Sequence, residues 1–345
     1  MGRTEYDPIR RKAVRKRTAV SAALIFLVIP AIIGLSTVLD GGSLYMLGSF
    51  AVIICCMVPF FMVFEKRKPK AREIVLVAMM SAITVAAHMF FHVTVPLQIG
   101  TAMVIIAGIS MGPEAGFLVG AISRFICNFY MGQGLWTPWQ MFCWGLLGFL
   151  AGMAFNKVDL AKTTDQVKSR SFHVIMGPVL CMIAAETAAF ITFLLWPGSE
   201  AADLTGGTFS GFMDALGQAD GLQGILNVLG MVIGWRFYAF GAVGLIAGVL
   251  LQRKRMPVDN LTLTIFTFFT TVILYGGLMN LCAMFTSAGI PGGGGISWNT
   301  LRLLYITGLP YDLMHGGAAA LCIFLIGNPM IRKIERIKIK YGIYK

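Results

Sequence analysis

Apolar runs of about twenty residues, one after another, leave this chain few folds to adopt. Ten such runs can be drawn, at 18–38, 44–64, 73–92, 97–111, 113–130, 137–156, 172–196, 225–251, 261–285 and 302–328. A run of that length spans the hydrocarbon of a bilayer as a helix, because only a helix satisfies its own backbone there. Composition agrees. The 345 residues are 57% hydrophobic and only 13% charged, against about 25% charged in an average soluble domain. The mean hydropathy is +0.76. The expected fold is an all-α, polytopic membrane helix bundle of about ten transmembrane helices.

Charge placement orients it. Of the 28 lysines and arginines, all but Arg124, Arg236 and Arg302 fall before the first run, after the second, sixth and eighth, or after the tenth. In a ten-span topology these positions share one side. The opposite connections hold Asp40, Glu200, Asp203, Asp214 and Asp220 and no lysine. Basic residues stay on the cytoplasmic side of short loops, so both termini are expected to be cytoplasmic and the protein a multi-pass resident of the cell membrane. The net charge of +12 is then loop charge that touches anionic headgroups, and no nucleic-acid partner is expected. The seven cysteines all lie in apolar runs without a CxxC pair. They read as small buried side chains. The first run lacks a small-residue cleavage site before Asp40 and reads as a retained helix.

Three of the runs, from Pro96 to Asn156, follow each other with almost no loop. Gly112-Pro113 breaks the first pair, and Gly132-Gln133-Gly134-Leu135-Trp136-Thr137-Pro138 breaks the second. Glycine and proline punctuate helices, so these helices lie side by side and antiparallel. The run VIIAGISMGPEAGFLVGA at 104–121 and the run GQGLWTPWQMF at 132–142 resemble the substrate-binding S component of energy-coupling factor (ECF) vitamin transporters. The C-terminal run from Gly308 to Gly342 looks like the last helix of that family, and the matches stand in the expected order.

The resemblance implies a six-helix core. Around it the chain divides into a basic cytoplasmic arm at 1–17, an extra N-terminal hairpin at 18–71 and a first part of the core at 72–157. An inserted loop and hairpin at 158–260, the last two core helices at 261–331 and a basic cytoplasmic tail at 332–345 follow. It also implies function: a substrate-binding subunit of an ATP-driven importer, capturing a vitamin-like micronutrient at the outer face. The implied partners are an integral-membrane coupling protein and two ATPase subunits. The sequence has no Walker, GxSxG or HExxH motif. No cofactor and no enzymatic activity are expected in this chain, and any ATP is used by the partners.

Candidate residues follow from chemistry and from family position. Ala78, Ala82 and Ala86 recur every four residues, a spacing that lets another helix approach closely in lipid. In S components such an alanine motif docks on the coupling protein. Trp136 and Trp139 with Gln133 and Gln140 combine aromatic faces and amides, which suit a flat, hydrogen-bonding ring. The family places its ligand under the loops corresponding to Val93–Gln98, Met131–Trp139 and Ser287–Asn299. The substrate-binding candidates are Gln98, Asn128, Gln133, Trp136, Trp139, Gln140, Asn280 and Asp312.

Ionisable groups inside a membrane are costly and mark a cavity or a partner charge. Arg124, Asp312 and His315 are placed to meet, either as the polar floor of a pocket or as a structural ion pair. Glu186 and Arg236 sit on consecutive spans and are expected to face each other or the bundle interior. His88 and His92 share a helix face but are two ligands short of a metal site, and no metal is expected. The segment Pro197–Gly224 reads as a surface helix or as a lid. A rival reading is a membrane-embedded enzyme acting on a lipid-linked substrate, with Arg124, Asp312 and His315 as its polar centre.

Overall fold

The computed structural model describes residues 71–94, 98–134, 136–155, 181–193, 209–221, 235–251, 258–288 and 297–343, with isolated positions (23, 27, 28, 31, 195, 224 and 256) between them. Every element of regular structure among them is a helix. The order is α1 (Ala71–Thr94), α2 (Gly100–Met111), α3 (Pro113–Met131) and α4 (Thr137–Ala154). Then come α5 (Cys181–Phe193), α6 (Phe209–Gly217) and α7 (Trp235–Leu251). A long helix follows as α8 (Asn260–Phe269), a π-helical segment (Thr270–Gly276) and α9 (Gly277–Ala288). The last is α10 (Trp298–Cys322), a second π segment (Ile323–Gly327) and α11 (Asn328–Lys340).

Among the described residues three helices are long and apolar enough to cross a membrane: Ala71–Phe91, Asn260–Ser287 and Thr300–Lys340. The expected runs at 18–38 and 44–64 lie almost wholly outside the described residues, so the extra N-terminal hairpin does too. The run at 97–111 forms only the 12 residues of α2. At 1.5 Å per residue that is about 18 Å, short of a hydrocarbon layer of about 30 Å. All twelve are buried, so α2 is an interior helix, not a lipid-facing span.

Glycines explain how α2, α3 and α4 close on one another. A Cβ on Gly108 would overlap the carbonyl of Gly148, one on Gly116 would lie 2.6 Å from that oxygen, and one on Gly148 would overlap the carbonyl of Gly116. Three helix backbones meet here with nothing between them, which is how helices associate where lipid removes the hydrophobic driving force. The two turns that fold α2, α3 and α4 back on each other contain Gly112 at φ 106° and Gly132 at φ 100°. Only glycine takes these values without strain. Phe117, Trp144, Leu147 and Phe149 fill the remaining space.

The chain leaves this core and returns to it at one place. Phe155, just beyond α4, lies beside Met256, whose N–H donates to Ala154 O at 2.7 Å. Asp259 then caps α8, accepting from the Thr262 N–H and hydroxyl at 2.9 and 2.8 Å. Residues 332–340, the start of the expected basic tail, belong to α11, on which Ile331, Ile334 and Lys338 recur on one face and are buried. Lys338 Nζ donates to Ser110 O at the end of α2 and pairs with Glu335 at 2.6 Å. Arg72 Nη1 donates to Tyr341 O at 2.7 Å, tying the start of α1 to the same end of the bundle.

Candidate functional site

Two polar clusters lie inside the bundle, and a third set of residues joins them. The first is built on α3. Arg124 and Asn128 are four residues apart and so share a helix face. Arg124 Nε donates to Gln140 Oε1 at 2.8 Å, and its Nη1 lies 3.0 Å from His88 Nε2 on α1. The guanidinium also sits over the Trp144 ring, 5.2 Å from its centroid. His88 meets the same ring edge-on at 4.9 Å. A cation buried to 5% exposure is thus held by an amide, an imidazole and an aromatic face, the combination that makes a membrane-depth arginine tolerable.

Asn128 Nδ2 donates to Gln140 Oε1 at 2.9 Å and to Thr137 Oγ1 at 3.2 Å. Thr137 in turn donates to Gln133 Oε1 at 2.9 Å and accepts from the Gly134 N–H at 3.1 Å. Gln133 Nε2 closes the series on Phe125 O. The turn between α3 and α4 is therefore stitched to the helices on both sides. Two buried polar atoms of this cluster, Asn128 Oδ1 and Trp144 Nε1, have no partner among the described residues, and neither has Gln98 Oε1 ahead of α2.

The second cluster joins α7, α9 and α10. Asp312 accepts from the Tyr238 hydroxyl at 2.7 Å and from Asn280 Nδ2 at 3.0 Å. Tyr238 stacks on Tyr305 at 4.4 Å, and Tyr305 donates to Gly277 O at 3.1 Å. The carboxyl presses on Gly276, and the Asn280 amide on Gly308, where a Cβ would collide with each. The π segment places Gly276 there, a local break in helix geometry of the kind found at functional sites.

Between the clusters runs the start of α2. Gly100 is in contact with Trp144 and His88, with room for no Cβ. Its neighbour Thr101 bonds His315 Nε2 at 2.8 Å, and His315 packs edge-on against Tyr275 at 4.5 Å. The polar path therefore crosses the bundle from Gln133 to Tyr238.

Several expectations change. Arg124 and Asp312 do not meet, because each is satisfied by neutral partners nearer to hand. The ion-pair reading falls with them. Asn128, Gln133 and Gln140 come together as one network, and Asn280 and Asp312 as another. Trp136 and Trp139 do not share a wall. Trp139 is 5% exposed and stacks on Phe285 of α9 at 5.9 Å, whereas Trp136 is 43% exposed and lies against Gly134. Trp136 stands just before α4 and lies over the loop glycine, whereas Trp139 is inside the helix and faces α9. Glu186 lies against Gly241, and Arg236 donates to Thr192 O at 3.1 Å, so both groups turn toward the neighbouring helix.

Tyr238, Tyr305 and Thr101 join these networks unannounced by the sequence. The only signal for Tyr238 was a phenol two residues from Arg236 in a mostly apolar span. Among the described residues no group of histidine, cysteine or carboxylate side chains is placed to hold a metal ion. The histidine at 92 lies outside the side chains described.

The family described as ECF-type riboflavin transporter, S component, matches residues 68–201. That stretch is similar to an S component. It begins beside α1 and holds Gln98 and the whole first cluster: His88, Arg124, Asn128, Gln133, Thr137, Gln140 and Trp144. It runs on past residue 157 through α5, and the second cluster lies beyond its end. No curated protein and no solved structure matches the chain. The match together with the apolar helices indicates a membrane protein and supports a vitamin-binding transport subunit.

Proposed function

We propose that this protein is the membrane-embedded substrate-binding subunit of an ECF-type importer. It takes up a vitamin-like micronutrient from the outer face and delivers it inward with a coupling protein and two ATPases. One observation carries the reading. Within the matched stretch, a buried arginine-centred network leaves Asn128 Oδ1 and Trp144 Nε1 without partners among the described residues. A buried polar atom left unsatisfied costs about 1–3 kcal/mol, and native proteins keep few of them unless a ligand or water completes the set. One acceptor amide, one indole donor and an aromatic wall fit a flat conjugated ring with a polar edge.

The docking face of this reading is α1. Ala78, Ala82 and Ala86 are all exposed, flanked by exposed Ile74, Val75, Met79 and Ile83. A small-residue strip bordered by larger apolar ones suits close approach of a partner helix in lipid. Both termini are cytoplasmic in this reading, following the basic loops.

The rival enzyme reading needed Arg124, Asp312 and His315 as one reacting centre, and the three are instead dispersed along the polar path with separate partners. The matched family's description makes riboflavin the first ligand to titrate. Purified protein in detergent should quench flavin fluorescence saturably at one equivalent, and Asn128→Leu should weaken binding about tenfold for each 1.4 kcal/mol lost. If no vitamin in a thermal-shift panel stabilises the protein, and Asn128→Leu behaves as wild type throughout, the binding-subunit reading fails.

A further inference from the structure

A cavity of about 460 Å³ opens where α8 begins and α10 passes into α11. It takes no residue from either polar cluster: Asn260, the first residue of α8, forms one wall, and Arg332, Lys333 and Arg336 of α11 form the other. All four are exposed. Arg332 Nε donates to Asn328 Oδ1 at 3.0 Å, which fixes the guanidinium beside the cavity. The nearby carboxylates are engaged elsewhere. Asp259 is turned to the Thr262 N–H and hydroxyl of its own helix, and Glu335 lies on the buried face of α11 with Lys338. Among the described residues no carboxylate pairs with the three cations.

We propose that this cavity binds a phosphate group, supplied by the headgroup of an anionic phospholipid. Three cations converging on one concave site, with an amide opposite, are the donors a phosphate requires. The surroundings point to lipid. The apolar helix from Thr300 to Lys340 has 41 residues, about 60 Å at 1.5 Å per residue, twice the hydrocarbon thickness. Its last turns must therefore leave the apolar layer. Phe324, Leu325 and Ile326 are exposed directly before the cationic turns, and Leu325 itself lines the cavity. Acyl-facing side chains followed by basic ones within two turns reproduce the order of a leaflet, with chains first and phosphates next. Basic pockets at helix ends on that side of a membrane hold anionic headgroups.

The test uses full-length protein. Retention of dioleoyl phosphatidylglycerol against dioleoyl phosphatidylcholine is measured by native mass spectrometry, with inorganic phosphate as a separate arm. Wild type should retain phosphatidylglycerol selectively. The triple variant Arg332→Gln, Lys333→Gln, Arg336→Gln should lose about tenfold or more of that affinity, since each basic residue near an anionic surface contributes several-fold. Lys340→Gln, outside the cavity, should stay within about twofold, a change too small to count as a lost contact. Asn260→Asp puts a carboxylate on the opposite wall and should also weaken retention. It decides the matter if the triple variant does not fold. Phosphate that displaces the lipid, and stabilises wild type but not the triple variant, would identify a free anion as the source of the same chemistry. Equal lipid retention by wild type, Asn260→Asp and the triple variant, or equal losses in Lys340→Gln and the triple variant, would overturn the site.

Discussion

Gln140 offers one oxygen to two donors: Arg124 Nε at 2.8 Å and Asn128 Nδ2 at 2.9 Å. That single acceptor couples α3 to the start of α4 and holds the buried cation in place. The candidate site is organised by this amide rather than by an ion pair, because among the described residues no carboxylate pairs with Arg124 and a neutral acceptor costs less to bury.

Gln140→Leu removes the shared acceptor and strands a buried guanidinium. Hydrogen bonds to charged groups contribute about 1.5–3 kcal/mol, so the melting temperature in detergent should fall and ligand affinity with it. Gln140→Glu should keep the fold by supplying an acceptor of the same length. A melting temperature unchanged in Gln140→Leu would show that the network does not order this end of the bundle.

Trp139 and Trp136 should behave differently. Trp139 is buried against Phe285, so Trp139→Ala should cost about 3–5 kcal/mol of stability, as for other buried aromatic truncations. Trp139→Phe should recover most of it. Trp136→Ala, at an exposed edge, should change stability by about 0.5 kcal/mol or less. Thermal melts of the three variants, followed by ligand titration of those that fold, separate packing from binding. Similar melts for both alanine variants would contradict this assignment.

Ala82→Phe adds a ring to the exposed face of α1. The fold and ligand binding should survive. Co-purification with the coupling protein should be lost, because a close helix contact has no room for the ring. Intact co-purification would exclude this face as the docking surface.

Gly148→Ala places a methyl group on the Gly116 carbonyl. Backbone cannot move aside as a side-chain tip can, so the helices must separate. Overpacking of this kind costs about 1–3 kcal/mol, read as a lower yield of monodisperse protein and an earlier melt. A Gly217→Ala control, with open space around its Cβ position, should melt as wild type. Identical melts for the two variants would mean that the glycine contact is looser than drawn.

Much of the architecture was legible in the chain itself. Apolar runs make helices in any environment that withholds water, so an all-α membrane bundle followed from hydropathy alone. The turns at Gly112 and Gly132 followed from residue type, because positive φ selects glycine wherever it occurs. The Gln133, Thr137 and Gln140 network was accessible too, since its members lie within eight residues at a helix start. What the sequence could not show was which distant groups would share a partner. Arg124 and Asp312 have opposite charges and similar depth, which made them natural partners on paper. The tertiary structure separates them because α2 packs its glycine and threonine between them, and because Tyr238, 74 residues away, reaches Asp312 first. Nor did the pattern reveal that the basic segment after 331 would fold onto α2, since a lysine in a sequence carries no sign of whether its stem will be buried. Periodicity fixes the face a residue shares with its own helix. Only the packing of one helix on another decides what that face meets.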